Sequence, residues 1–409
     1  MKQLLILFCL CCGLVGFSQE FSPAFTSSTS TNILRISSFN YYSSNRFSNE
    51  LMDKFIFGGY IDDALKSSTE NRLKKFSAIG GEAEQKIEYW NNNIHPFRDE
   101  NYGFLFSLSD NHFISSNIAT DLYRVALFGN EPYLDQTLDF SYTGGVYQHY
   151  QKVGFGVYDN TTFSSLTLNY VSGSKTVEGR LGTTSMVNEI DSVLLNIYGG
   201  GFRSDKFYPY FGLQGNGISA DLSYNYMFET KNARRHVFNL RLSNVGFMLW
   251  NKNSHNYSID SSVSYSGFDV QDFLNREDAG AKTYNFEDTL GIENIQGKVF
   301  TAMPIEFVLQ KLPILDLTGF QVIGGIKTIL TPNYFPYMFG GIYYSPIKNF
   351  AASTRISYGG FAGVRWGLDF TYIIQDKFNV SLSTFDLIGN LSSKIGHGRS
   401  LNFSLQFQF

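Results

Sequence analysis

The six histidines of this sequence are its best candidates for acid–base or metal chemistry, because imidazole titrates and binds metals near neutral pH. They are His95, His112, His149, His236, His255 and His397. They form no HExxH motif and no other pair at metal-ligand spacing. His149 or His255 with a nearby aspartate could form a small hydrolytic site, but lone polar residues more often line the lumen of a barrel. We therefore predict no catalytic, cofactor-binding or metal-binding residues, and a protein that is not an enzyme.

Two segments have compositions that could bind phosphate or calcium. Gly291 and Gly297, followed by Lys298, resemble a phosphate-binding loop. The two glycines are one residue too far apart, however, and Val299 replaces the required hydroxyl residue. The acidic segment 267–300 has many carboxylates but lacks the DxDxDG spacing of a calcium loop. We expect a solvated loop there and no cofactor.

The N-terminal segment has the features of a secretory signal peptide. A short basic start at Met1-Lys2-Gln3 precedes an apolar run from Leu4 to Gly16. This run is shorter than the ~20 residues of a spanning helix, and its position predicts a cleaved signal over residues 1–19. All three cysteines lie within it. The mature chain would therefore have no disulfide, cysteine nucleophile or thiolate metal site.

The composition is aromatic and poor in charge. Aromatic residues make up 17% of the chain, charged residues 17%, and the mean hydropathy is -0.13. Soluble domains carry about 25% charged residues. Beyond the signal, no segment approaches the roughly 18 apolar residues of a spanning helix. A net charge of -4 and a pI near 5.9 argue against a nucleic-acid partner.

Alternation of apolar and polar residues is the main structural signal. In the last nine residues, Leu401, Phe403, Leu405, Phe407 and Phe409 alternate with Asn, Ser, Gln and Gln. Similar alternation occurs at 102–108, 218–228, 256–265, 350–358 and 364–372. Repeats of roughly 9 to 11 residues match tilted strands that cross a membrane, with lipid on one face and the lumen on the other. We predict an all-β, transmembrane antiparallel β-barrel of about 14 strands, with 16 as the alternative.

The connections between these strands differ in length. Tight polar turns are predicted at Ser109-Asp110-Asn111-His112 and at Gln375-Asp376-Lys377, and a moderate one from Glu229 to Arg235. After a first strand near 32–42, residues 49–75 have helical spacing. We expect a helical or loop insertion over 49–93, either a solvated loop or a hatch that folds into the lumen or caps its mouth. The rest of 20–409 forms a single barrel domain, with segment 267–300 as a long extracellular loop.

Several short motifs carry a family resemblance. They are Gly215-Asn216-Gly217-Ile218, Leu242–Trp250 and Phe385-Asp386-Leu387-Ile388-Gly389-Asn390. The chain resembles a Bacteroidota family of outer-membrane barrels of unknown function, and is more distantly similar in build to fatty-acid-transporter-like barrels. The resemblance implies a single barrel and no established activity, and it carries over no functional residue. The final Phe also resembles the C-terminal signal that the barrel-insertion machinery recognises.

Two functions remain open at this point. The first is a transport or channel-type barrel for small or hydrophobic solutes. The alternative is a non-transporting scaffold or accessory barrel in a secretion, surface-attachment or envelope-assembly complex. A carrier that releases its solute sideways should have an interrupted strand and an apolar lumen. A scaffold should have a filled or closed lumen and an apolar patch outside the membrane band. For both we expect the outer membrane of a Gram-negative bacterium and contact with its lipid.

Overall fold

The computed structural model describes residues 32–75, 77–205, 213–230, 235–265, 290–315, 317–375 and 377–409. Twenty strands join in one sheet. They are β1 (Asn32–Ser44), β2 (Ser77–Asn91), β3 (Tyr102–Ile118), β4 (Gln136–Asp139), β5 (Gly144–Asp159), β6 (Ser165–Leu181), β7 (Ser185–Asn188), β8 (Val193–Arg203), β9 (Gly215–Glu229), β10 (Arg235–Trp250), β11 (His255–Tyr265), β12 (Glu293–Gln296), β13 (Val299–Ala302), β14 (Glu306–Leu312), β15 (Gly319–Ile329), β16 (Phe335–Ile347), β17 (Phe350–Gly360), β18 (Ala362–Ile374), β19 (Phe378–Thr384) and β20 (Gly398–Gln408).

A closed antiparallel ring of 14 strands forms the barrel wall. It runs β1, β2, β3, β5, β6, β9, β10 and then β14 to β20 in order, and β20 pairs with β1 to close it. At the joint, Asn32 and Phe409 each donate a backbone hydrogen bond of 3.1 Å to the other's carbonyl. A closed ring leaves no free strand edge, which removes the usual route to edge-to-edge aggregation.

The two ends of the ring differ in the length of the connections between strands. The described residues of segments 45–76, 119–143, 182–214, 251–305 and 385–397 lie at one end, which we name the long-loop end. The opposite, short-turn end carries compact connections such as 160–164 and 348–349. The remaining strands extend the sheet at the long-loop end, where β8 pairs with the last residues of β6 and also with β7 and β11. We name β4, β7, β8, β11 and β12 the rim sheet.

Three helices form a cap on the long-loop end: α1 (Asn49–Phe57), α2 (Asp63–Glu70) and α3 (Thr120–Phe128). They share an apolar cluster of Phe47, Leu51, Leu65, Leu73 and Tyr123. Asn49 joins the cap to the rim, because its side chain donates hydrogen bonds of 2.9 Å to the carbonyls of both Gly389 and Gly398. A fourth helix, α4 (Leu387–Leu391), lies in that rim segment. No described helix is long and apolar enough to cross a membrane.

The outer face of the ring is apolar over its middle. Leu168, Ile218, Val322, Ile356 and Val364 are between 60% and 73% exposed there. The side chains between them point inward and are polar, as Ser219 and Ser357 illustrate. This division follows the period of two in a strand and matches a wall between lipid and a hydrated lumen.

The sequence predictions hold for the fold class and fail at three segments. The ring has 14 strands, not 16, and the helical insertion follows the first strand. The insertion ends before residue 77, however, because Ser77–Asn91 is strand β2 and not part of a helical or loop insertion over 49–93. Its Ala, Glu, Gln and Lys residues favour helix in isolation, but pairing with β1 and β3 overrides that preference.

The second failure is the turn predicted at 109–112, which lies in the middle of β3. Its four polar residues have the composition of a turn, yet each pairs across to β2 and β5. The third is segment 267–300: residues 293–296 and 299–300 belong to strands β12 and β13 and not to a loop. They pair with β11 and β10. Residues 266–289 and the signal peptide predicted at 1–19 lie outside the described residues.

Candidate functional site

A cavity of about 230 Å³ lies inside the barrel, and we name it the lumenal chamber. Inward-facing side chains of the strands around the ring line it, from Arg35 on β1 to Ser404 on β20. None of the described residues of the cap at 49–75 is among them. The described residues of the insertion therefore do not fill this chamber.

Charged side chains of opposite sign pair along the chamber wall. On β1 and β2, Glu88 lies 3.4 Å from Arg35 Nη1 and 2.7 Å from Lys86 Nζ. Arg35 also donates a 3.0 Å hydrogen bond to Gln406 on β20. These groups are largely buried from solvent, and ion pairing offsets the cost of removing charges from water.

A second network joins β5, β9 and β10. Lys152 Nζ lies 3.0 Å from Asp221 and donates a 2.8 Å hydrogen bond to the side-chain oxygen of Asn244. The backbone N–H of Asn244 donates to the other oxygen of Asp221 at 2.7 Å. Asn244 has a φ of 60° at a bulge where the β9–β10 register shifts. Asp221 therefore holds both the lysine and the bulged backbone.

A third network crosses the lumen. Glu306 on β14 lies 2.6 Å from both Arg241 and Lys327. Lys327 on β15 also reaches Glu82 on β2, on the far side of the ring, at 3.4 Å. Its ammonium lies 5.1 Å from the ring centre of Phe39, within cation–π range. Polar contacts across the ring show that the lumen is narrow at this level.

The chamber has as many basic as acidic side chains. The basic ones are Arg35, Lys86, Lys152, Arg241 and Lys327, and the acidic ones are Glu82, Glu84, Glu88, Asp221 and Glu306. A site with balanced charge does not favour ions of one sign. It suits a solute that has hydrogen-bonding groups, or charges of both signs, and no large net charge.

Aromatic side chains bound the chamber at both ends. Toward the long-loop end lies an outer aromatic layer of Phe39, Tyr41, Phe113, Tyr334, Phe361 and Phe385. Toward the short-turn end lies an inner aromatic layer of Trp90, Tyr158 and Phe163, packed with Ile33 and Leu105. Trp90 and Tyr158 meet edge to face with centroids 4.8 Å apart. Both layers contribute residues to the chamber lining, so they stand between it and the two mouths.

The barrel wall is interrupted beside the chamber. Met303, Pro304 and Ile305 separate β13 from β14, opposite the bulge of β10. Proline has no N–H for the ladder and is found in sheets at such breaks. The side chain of Asn244 donates a 3.3 Å hydrogen bond to the Pro304 carbonyl across the gap. Pro304 and Asn244 both line the chamber.

The structure brings two of the six histidines together. His112 on β3 and His149 on β5 are register partners, and both lie beside Asp110. His255 lies 3.8 Å from Asp205 on the rim sheet. His95, His236 and His397 belong to separate elements, with His397 beside the Phe47 carbonyl. Gly291 and Gly297 flank strand β12, so no strand-to-helix phosphate loop forms among these described residues.

The sequence analysis missed Asp110 and did not connect His112 with it. Their signal was a D-x-H spacing, which puts both side chains on one face of a strand. The segment was interpreted as a turn, and in a turn two residues that are two positions apart need not point to the same side. The partner His149 is distant in the sequence, and only the pairing of β3 with β5 brings it close.

Comparisons with known proteins give a family and a general likeness in build. The profile of a family described as "Family of unknown function (DUF5723)" matches residues 158–384. A search of curated proteins found no match. Among solved structures, the chain is similar to the deltaS2S3 mutant of the monoaromatic hydrocarbon channel TodX, at 10% identity and a TM-score of 0.42, over 95% of this chain and 93% of that one.

Two further structures cover similar shares of the chain. The toluene transporter TodX of Pseudomonas putida has 8% identity and a TM-score of 0.27, over 96% of this chain and 93% of its own. The transport unit of the Escherichia coli autotransporter AIDA-I has 7% identity and a TM-score of 0.23, over 99% and 97%. At these scores the likenesses carry no argument, and the barrel assignment rests on the strand pairing itself.

Proposed function

The chain belongs to the DUF5723 family, whose function is unknown, and we propose that it is an outer-membrane transport barrel for a small polar or zwitterionic solute. The observation that carries this proposal is the charge-balanced lumenal chamber, which is flanked by two aromatic layers. Its volume of about 230 Å³ lies below the roughly 300–1,000 Å³ of pockets for drug-sized ligands. The solute is therefore small.

The apolar outer face supports the membrane location. Strongly exposed Leu, Ile, Val and Phe side chains cover the middle of the ring, and such a surface is stable only against lipid or another protein. Insertion would use the C-terminal strand, as in other outer-membrane barrels, and the long-loop end would face outward. The net charge of -4 and the pI near 5.9 argue against a nucleic-acid partner, which would favour a basic protein surface.

The chamber favours polar over strongly hydrophobic solutes. A strongly hydrophobic solute would displace water from the ion pairs of the chamber without replacing the hydrogen bonds to that water. Such desolvation of charged groups is costly. Sideways release requires an interrupted strand and an apolar lumen. The wall is interrupted at 303–305, but the lining of the chamber is charged. We therefore favour passage along the barrel axis.

Passage requires the aromatic layers to move. Phe361 is the simplest candidate for a gate residue, because it sits on the tight turn between β17 and β18. Its side chain is buried, at 1% exposure. Its ring lies 5.0 Å from Tyr334, edge to face. A swing of this one turn would open the outer layer without breaking the strand ring.

A scaffold role is the second candidate, and the rim sheet favours it. Five strands extend beyond the ring at the long-loop end. Such a rim could bind a partner of a secretion, surface-attachment or envelope-assembly complex. Transport explains the charged chamber, which a scaffold does not require, and for that reason we favour transport.

Solute flux through proteoliposomes tests the choice. Full-length protein would be reconstituted, and swelling measured with a zwitterionic amino acid, a neutral sugar and an inorganic salt. We expect slow swelling with the first two solutes for the wild type and several-fold faster swelling for Phe361→Ala. Phe370→Ala, on the lipid side of β18, is the matched control and should leave flux unchanged. If wild type and Phe361→Ala both match empty liposomes, the scaffold role is supported and transport is excluded.

A further inference from the structure

A polar cluster occupies the outer face of the barrel wall, opposite the lumenal chamber. Asp110 and His112 are two residues apart on β3, so they point to the same side. That side also carries Leu108 and Ile114, which are 38% and 37% exposed, whereas the alternate residues Ser107, Asn111 and Phe113 are buried and line the chamber. His112 also contributes to the chamber lining. Asp110 and His112 therefore face outward, within a strand that crosses the wall.

Strand register completes the cluster with His149 on β5. His149 is the direct partner of His112, and the two imidazole rings stack with centroids 3.9 Å apart and planes at 11°. His149 Nε2 lies 2.9 Å from one oxygen of Asp110, and His112 Nε2 lies 3.4 Å from the other. Both Nε2 atoms and the carboxylate thus converge, and one ligand atom from each residue lies within 4.8 Å of the others.

Neighbouring groups hold these side chains in place. His112 Nδ1 lies 3.0 Å from the hydroxyl of Tyr147, so that its Nε2 is the nitrogen left facing Asp110. Gln151 donates a 2.6 Å hydrogen bond to Asp110, and Ser174 donates a 2.8 Å hydrogen bond to the oxygen of Gln151. His149 is 1% exposed. Supporting hydrogen bonds to the far nitrogen and to the carboxylate are typical of metal ligands.

The location of the cluster calls for a chemical explanation. A carboxylate on the lipid face of a transmembrane barrel destabilises the protein, and ionisable groups kept at such positions usually have a function. A bound divalent cation would neutralise Asp110 and use both imidazoles. The geometry points to a site for a divalent transition-metal ion of the Zn²⁺ type, held by Asp110, His112 and His149 on the outer surface of the wall.

The donor set identifies the class of metal. Two imidazole nitrogens and one carboxylate suit Zn²⁺, Co²⁺, Ni²⁺ or Fe²⁺, whereas Ca²⁺ and Mg²⁺ require oxygen ligands. Three protein ligands leave at least one position for water or another donor. Among the residues that the structure describes, this is the one group of three His, Cys, Asp or Glu residues with converging ligand atoms. The site is independent of the proposed transport role.

Metal titration of the untagged, full-length barrel in detergent micelles tests the site. Co²⁺ is the spectroscopic probe, with Zn²⁺ as its competitor. We expect one equivalent of Co²⁺ to give visible absorption that Zn²⁺ abolishes. His112→Ala and His149→Ala should each weaken binding at least tenfold. Gln151→Leu should weaken it less, because Gln151 lies at hydrogen-bond distance from both Asp110 and His149 but is not itself a ligand. His236→Ala, a histidine on the same wall outside the cluster, is the control and should bind as the wild type does.

Folding is checked in parallel by heat-modifiable gel mobility. Should an alanine variant fail to fold, the near-isosteric Asp110→Asn keeps the shape of the cluster, and we expect it to weaken Co²⁺ binding at least tenfold as well. Saturating Zn²⁺ should also raise the unfolding temperature of the wild type and leave that of Asp110→Asn unchanged. The proposal is overturned if the wild type binds no stoichiometric Co²⁺, or if folded Asp110→Asn binds it as tightly as the wild type.

Discussion

At the scale of single residues, the outer aromatic layer depends on a close fit between Gly80 and Phe361. A Cβ atom at Gly80 would lie 2.3 Å from the Phe361 ring, far inside van der Waals contact. Gly80→Ala should therefore displace the ring and increase solute flux in the direction of Phe361→Ala, with a cost from overpacking of about 1–3 kcal/mol. Gly363→Ala meets no atom within 4 Å and should leave flux and stability unchanged. Normal flux in folded Gly80→Ala would contradict Phe361 as the gate.

A buried ion pair on β17 and β18 gives a second prediction for a single residue. Arg355 is 1% exposed, and its Nη2 donates a 3.0 Å hydrogen bond to Asp369, which also accepts one from Ser353. Removing the negative charge in Asp369→Asn should cost about 1.5–3 kcal/mol, the range for hydrogen bonds to charged groups.

The control for this prediction lies on the same strand. Thr371 makes a neutral 3.0 Å hydrogen bond to Ser381, and Thr371→Val should cost about 0.5–1.5 kcal/mol. Urea unfolding in phospholipid vesicles measures both variants. Equal losses would mean that the charge of Asp369 adds nothing. Alternation in the sequence predicted the lumen side for Asp369, but it could not reveal Arg355 as its partner, because that depends on the register of two strands.

At the scale of elements, helix α4 begins with a buried aspartate. Asp386 is its N-cap, accepts a 2.7 Å hydrogen bond from the backbone N–H of Gly389, and lies in the rim segment outside the spanning strands. Burial raises the pKa of Asp386 above its ordinary value, more than this hydrogen bond and the nearby Arg365 and His397 lower it. The folded state thus binds the proton more tightly than the unfolded state does.

The sign of the pH effect follows from this difference. A raised pKa means that wild-type stability falls as the pH rises from the unfolded pKa through the folded one, and that it is recovered on acidification. Asp386→Asn retains an acceptor for Gly389 and has no such dependence. We expect the unfolding temperature of the wild type, relative to that of Asp386→Asn, to be higher at pH 4 than at pH 7. A constant difference across this range would show that burial of Asp386 has no net effect.

The elements also show what the sequence could predict. Strands β9, β17, β18 and β20 were predictable because one face is apolar and the other polar, a pattern that a lipid–lumen wall imposes. Strand β2 was not, because its lumen face carries the charged residues Glu82, Glu84 and Lys86, and the sequence does not show that Lys327 on β15 pairs with Glu82 across the ring. The centre of β3 was misjudged for the opposite reason. Its outer face carries Asp110 and His112 where lipid contact predicts apolar residues, so local rules failed at the candidate metal site.

At the scale of the whole molecule, the even strand number constrains closure. Strand β20 is antiparallel to both of its neighbours, β19 and β1. Those two neighbours therefore run in the same direction, and a ring without β20 could close only through a parallel joint. Both β1 and β19 pair with β20 along most of their length. The last strand is thus required for the ring, beyond any role as a recognition signal.

Removal of residues 401–409 should consequently abolish the barrel. We expect no heat-modifiable, protease-resistant form and no recovery with the outer membrane, because two open edges and an apolar face would be left exposed. Phe409→Ala should retain a barrel and only reduce its yield, since the ring of Phe409 stacks on Phe407 and Tyr89 at the end of the wall. The matched control deletes residues 49–72, which contribute to the cap and to no strand of the ring, and this variant should still insert. Insertion of the 401–409 deletion as a stable barrel would contradict closure through β20, and failure of the cap deletion to insert would make α1 and α2 part of the folding core.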